Sequence, residues 1–221
     1  MPTYFDEVVD PFLERSNQAT PKFGDLCRVY AYYPHERLEI WRPRQDDRST
    51  GIASDFNPIA LPVEDAFHRN APFSSPHLAT EEEFLVLRAK RRPGIILAPP
   101  DPALAGVNRG FRARLARHLC LVAPMFSVSD TAGVQKFEPT FIERVRLLGY
   151  PQFLFLPSGG PLQRDSLARL DEAQSVAMGQ LESTGWTLAP DAREVFQSQA
   201  SLFVSGLGQD ILARWREQLL S

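Results

Sequence analysis

The stretch that most constrains this chain is Lys90-Arg91-Arg92-Pro93-Gly94-Ile95-Ile96-Leu97-Ala98-Pro99. Three cations run directly into a short apolar segment with a proline on each side. The ring of Pro93 clashes with a helical preceding residue and so holds Arg92 extended. Ile95, Ile96 and Leu97 read as a buried strand. The cations therefore stand at the mouth of a β core on a fixed backbone. A fixed arginine suits an anion better than a loose basic tail does, although a solvated edge arginine has the same pattern.

The charge around this stretch is segregated. Between Arg88 and His118 stand Arg88, Lys90, Arg91, Arg92, Arg109, Arg112, Arg114 and Arg117, with Asp101 the sole acid. The chain as a whole carries a net charge of -3, which argues against a generally sticky nucleic-acid binder but leaves room for a local polyanion site. The acids of Glu81-Glu82-Glu83 and the C-terminal third are the alternative partners of these arginines. With 221 residues the chain can bury one sizeable core, with or without a small appendage. No apolar run reaches membrane-spanning length, and no membrane partner is expected. The N-terminus, acidic at Asp6 and Glu7, does not read as a signal peptide. Cys27 and Cys120 lie in separate strand-like runs, as small buried residues of a reducing, cytoplasmic protein do. His35, His68 and His77 are too scattered to suggest a metal site.

Taken in order, Tyr4, Phe5, Val8, Val9, Phe12 and Leu13 recur at helical spacing, broken by Pro11, and predict a bent helix. Residues 16–22 read as a linker. Strands are expected at 26–33 and 37–42, the second with Leu38, Ile40 and Trp41 inward. Residues 43–79 are rich in proline and polar residues and look irregular. Strands follow at 84–87, 95–98, 119–126 and 152–156. A helix starts at Pro139 and stops at Gly149. Ser166 to Asp171 alternates like a half-exposed strand. Helices over 191–204 and 209–220 close the chain, with Gly206 and Gly208 between them, and their apolar stripes require a surface to bury. Short strands with turn signals favour a small barrel: mainly β with added helices, an α+β protein. The expected divisions are a helical extension at 1–22, a barrel domain at 23–180 with an insertion at 43–83, and a helical extension at 181–221.

Four segments together resemble one family, the MazF/PemK toxins. Phe23-Gly24-Asp25-Leu26-Cys27-Arg28-Val29 is similar to that family's opening glycine-aspartate strand. Arg92-Pro93-Gly94-Ile95-Ile96-Leu97-Ala98 resembles its arginine-proline strand, and Leu121-Val122-Ala123-Pro124-Met125-Phe126-Ser127 its next core strand. Residues 165–176, from Asp165 to Val176, resemble the later strand segment. The resemblance spans 23–176 with interruptions. It implies an SH3-like barrel of the MazF/PemK/CcdB type, a homodimer, and an antitoxin partner. It implies a metal-independent endoribonuclease, without cofactor, in which a ribose 2′-hydroxyl attacks the adjacent phosphate of single-stranded RNA. Such a site needs positive donors about the phosphorus and groups to move protons.

Carried over residue by residue, the family's arginine falls on Arg92, a planar fork for phosphate. Its catalytic threonine falls on Phe126, which has no hydroxyl. Ser127 substitutes only if the register slips by one, which turns the side chain to the other face. His118, next to the same strand, titrates near neutral pH and is the candidate acid or base. Lys90, Arg91, Arg112 and Arg114 are candidate steering or substrate-binding cations. Asp171 and Glu172 would orient Arg92, and Gln174 is placed to read a base edge. Each also has an ordinary reading as a solvated surface group. The competing function is a non-catalytic binding module on the same barrel, either an inactivated relative or a CcdB-like toxin that binds protein.

Overall fold

Residues rich in valine, isoleucine and aromatic side chains pair antiparallel throughout, as their fit to a pleated half-buried surface dictates. The computed structural model describes residues 3–43, 56–70, 72, 77–100 and 119–221. The described chain falls into two units, 1–31 with 91–221, and 32–90.

The first unit is built on one sheet. Its strands are β1 (Leu13–Arg15), β2 (Asp25–Tyr32), β6 (Ala89–Ala98), β7 (Leu119–Ser127), β8 (Phe153–Leu156), β9 (Ser166–Arg169), β10 (Gln174–Ala177) and β11 (Glu182–Leu188). Strands β2 and β6 continue by one or two residues into the second unit. The order is β1-β11-β2-β6-β7-β9-β8, and β10 also pairs with β7. No pairing among the described residues joins β1 to β8, so the sheet is open and the expected closed barrel is not seen. What holds is the coarser class, an α+β protein with antiparallel sheets.

Residues that face the same way along neighbouring strands meet on one surface. Leu26, Ile95, Ala123, Met125, Leu154, Leu156, Ala168 and Leu188 make one face, covered by helices. Those are α1 (Phe5–Val8), α3 (Pro190–Ser205) and α4 (Gln209–Leu220), which contribute Phe5, Val195, Phe196, Leu212 and Leu219 to the same core. The other face carries two smaller clusters. One holds Cys27, Val29, Ala31, Ile96, Cys120, Val122 and Val176. The other holds Val128, Phe155 and Leu167 beneath Val145 of α2 (Pro139–Arg146).

Several elements depart from the sequence reading. Only Phe5–Val8 is helical at the N-terminus; Leu13–Arg15 pairs with Leu188–Trp186 as an edge strand, because Pro11, with no backbone N–H, does not continue a helix. Strands β1 and β11 have no counterpart in the sequence reading, and β10 begins inside the segment 165–176 that was read there as one later strand segment. Strand β9 is buried at Ser166, Leu167 and Ala168 instead of half exposed, since both of its faces are covered. Helix α2 ends before Gly149: Leu148 takes the left-handed turn, at φ 58°, and its side chain is buried in the main core. The guanidinium of Arg216 caps the Leu148 carbonyl at 2.8 and 2.5 Å.

The second unit holds a three-stranded sheet, β4-β3-β5, made of β3 (Glu39–Pro43), β4 (Phe56–Ala60) and β5 (Phe84–Val86). Strand β4 lies in the stretch expected to be irregular. Ile40 is fully buried, whereas Leu38 and Trp41 are exposed, which corrects their expected inward placement. Here Glu83, with no exposed side-chain surface, joins Arg42 at 2.6 Å and Arg69 at 2.8 Å. Asp65 meets the other edge of Arg42 at 2.9 Å. Burial alone would push the Glu83 carboxyl up, but hydrogen bonds from Arg42 and Arg69 outweigh it and hold the group below the usual carboxylate range.

Candidate functional site: a shared aromatic ring with two guanidiniums

The site lies on the face of the first unit's sheet opposite the helices α3 and α4. Along β7, Val122 and Phe126 point to this face at even spacing. The β6–β7 pairs run from Gly94↔Pro124 to Ala98↔Leu121. Pro93 and Pro124 lack the N–H that would carry the ladder further. Arg92 stands just beyond this point, extended by Pro93. Its guanidinium lies 4.2 Å from the centroid of the Phe126 ring. Gly94 permits the close approach: a Cβ there would lie 2.6 Å from Cγ1 of Val122 and 3.1 Å from the carbonyl of Ala123.

A second guanidinium, that of Arg169, lies 5.4 Å from the same ring and 5.7 Å from that of Phe153. Strand β9 delivers it. The register Met125↔Ala168, Phe126↔Leu167, Ser127↔Ser166 changes three residues later, where Gln174↔Val122 and Val176↔Cys120 take over on the same edge of β7. Those three extra residues form the 3₁₀ turn Leu170–Glu172. The turn presents Asp171 and Glu172 to Arg169. Nε and Nη2 of Arg169 donate to the two carboxylate oxygens of Asp171 at 3.1 and 2.6 Å. Nη1 meets Glu172 at 2.5 Å. The hydrogen bond from Arg169 to Asp171 holds the guanidinium still more firmly protonated than usual. Gln174 is buried on β10, on the same face as Val122. Arg169 is not among the residues singled out from sequence. Its role follows from the register shift along β7, which brings Asp171 and Glu172 to it.

The other expected site residues scatter. Phe126 pairs with Leu167 and stacks on Arg92, so the register does not slip. Ser127 therefore faces the other way, and its Oγ accepts a hydrogen bond from Nζ of Lys136 at 2.7 Å. Arg91 alternates with Arg92 and pairs with Glu182, which also lies 3.9 Å from Arg28. Lys90 is exposed near the start of β6. Asp171 meets Arg169 through both of its oxygens, where Arg92 was the expected partner. His118, Arg112 and Arg114 lie outside the described residues.

Two clefts of the same unit, of about 340 and 420 Å³, are lined by Glu143, Arg146 and Phe155, and by Pro11, Gly160 and Trp186 respectively. Arg92 lines neither. Chemically, the Arg92–Phe126–Arg169 group sets two guanidiniums on an apolar plate, that of Arg169 already held by Asp171 and Glu172, with no hydroxyl from either Phe126 or Ser127. Guanidinium forks hold phosphate or carboxylate bidentately. Against models of known protein families and against curated proteins, the chain gives no match.

Proposed function

We propose that the chain is a toxin-like, metal-independent endoribonuclease of the MazF/PemK type, which cuts single-stranded RNA by attack of a ribose 2′-hydroxyl on the adjacent phosphate. In this reading it acts in the cytoplasm as a homodimer and is restrained by an antitoxin. One observation carries the reading. The segments that bear the resemblance are neighbouring strands of one sheet, in the order β2-β6-β7 with β9 and β10 beside β7, and Arg92 lies against the residue at the threonine position.

The fork of Arg92 takes the non-bridging phosphate oxygens and stabilises the charge that builds at phosphorus. His118 is the group of this reading that moves protons. The test is incubation of the purified chain with a long RNA in EDTA. Cleavage leaving cyclic phosphate ends, and falling at least about a hundredfold in Arg92→Ala, is the expected result. RNA left intact by the wild-type chain contradicts it.

A second reading is a non-catalytic binding module on the same sheet. The ring of Phe126 in place of a hydroxyl, with Ser127 turned to the opposite face, favours it. Under that reading RNA is bound and released uncut, or growth arrest on expression occurs with cellular RNA intact.

A further inference from the structure

The Arg169 guanidinium has three engaged nitrogens and two very different partners. Glu172, with 4% of its side chain exposed, is fixed in the core on Nη1. Asp171, with 31% exposed, lies along the Nε/Nη2 edge with both oxygens, the geometry in which arginine grips phosphate. The difference in burial decides which partner can leave. Glu172 is an anchor that orients the guanidinium; Asp171 can rotate into water. Both guanidiniums lie beside the ring of Phe126, that of Arg92 at 4.2 Å and that of Arg169 at 5.4 Å.

We propose that the Nε/Nη2 edge of Arg169 is a phosphate-binding fork, and that Asp171 occupies it in the resting chain as an internal carboxylate competitor. Asp171 is thus a positioning and gating residue. Its ligand is a phosphate ester, an RNA phosphodiester on the reading above, upon which the choice of ligand rests. A phosphodiester entering the fork takes over two charge-assisted hydrogen bonds, and the Asp171 carboxylate moves to solvent.

The experiment uses the full chain and a single-stranded RNA oligonucleotide methylated at every 2′-oxygen, so that binding is read without cleavage. Affinity is measured by fluorescence anisotropy over a range of salt, and inorganic pyrophosphate is titrated in parallel by calorimetry. Asp171→Asn should bind both probes about tenfold more tightly, with a steeper salt dependence for the RNA. Asp171→Glu should stay near wild type. In the double variant Arg169→Lys/Asp171→Asn the gain should vanish, because lysine keeps the charge but not the fork. Asp171→Ser, checked by circular dichroism, replaces Asp171→Asn if the latter misfolds.

Unchanged affinity for both probes in folded Asp171→Asn or Asp171→Ser overturns the proposal, as does a gain that persists undiminished in the double variant. If no variant binds the RNA while pyrophosphate binding still tightens, the fork stands and the RNA reading falls. If wild-type chain binds RNA through Arg92 but loss of the Asp171 carboxylate changes nothing, the RNA reading stands and the gate falls.

Discussion

At the scale of single residues, the question at the site is what Phe126 does for Arg92. A half-buried guanidinium on an aromatic face gains about 0.5–1 kcal/mol from the ring quadrupole, and the ring also fixes its orientation. The ring thus replaces a hydrogen-bonding hydroxyl by a packing contact. Phe126→Thr should raise the rate of RNA cleavage severalfold while lowering stability by about 1–3 kcal/mol, read by single-turnover kinetics and by urea unfolding. Ser127→Ala should leave cleavage within about twofold, since that hydroxyl faces Lys136. A hundredfold loss in Ser127→Ala would mean that the register described above is not the working one.

Glu83 gives a residue-scale prediction in the second unit. Its folded carboxyl titrates below the unfolded value. The stability it contributes is therefore present above the ordinary carboxylate range, and is lost as pH falls through the lowered folded value. Glu83→Gln should cost about 3–5 kcal/mol, because Arg42 and Arg69 keep their charges without the buried carboxylate between them. It should also flatten the acid limb of the stability curve, measured by chemical denaturation from the acid range up to neutral pH. In the first unit, burial pushes the Cys27 thiol up to about 12, so it should resist thiol reagents in the folded chain.

At the scale of elements, the close approach of β6 and β7 sets the site. Gly94→Ala should cost about 1–3 kcal/mol through the collision with Val122, and Val122→Ala in the same chain should recover part of it. Additive costs in the double variant would show that the two strands do not meet as described. On the other side of the sheet, Gln199 of α3 is fully buried and donates to the carbonyls of Phe153 and Tyr150 at 2.7 and 3.2 Å. It satisfies acceptors where β8 ends the sheet.

What the residue pattern disclosed at this scale was the strong local signal. Strand β6 was readable from Pro93 and three apolar residues, and α4 from its stripe and flanking glycine. Strand β10 was not readable as a strand of its own, because Gln174-Ser175-Val176-Ala177 has only one β-branched residue and gains its place from pairing with β7. Strand β11 was hidden likewise: Gly185 interrupts the pattern at a register shift against β2. Arg92 was legible as a fixed cation; Arg169 was not, because its meaning depends on a three-residue shift in strand register that no local spacing encodes.

At the scale of the molecule, the two C-terminal helices are part of the main core. Val195, Phe196, Leu212 and Leu219 share a cluster with Phe5, Ile95 and Leu156. Their removal before Pro190 should yield an insoluble or molten product, detected by lost near-ultraviolet dichroism. No helix of the described chain is long and apolar enough to cross a membrane.

The claim on which the functional account rests is that Arg92 holds an RNA phosphate on this sheet. The most direct measurement is cleavage of a long RNA in EDTA by wild-type chain and by Arg92→Lys, with folding checked by circular dichroism. The account predicts cleavage by the wild type and a loss of at least about tenfold in the folded lysine variant, because a point charge does not replace a planar fork. Equal cleavage by both proteins, or none by the wild type, would contradict it.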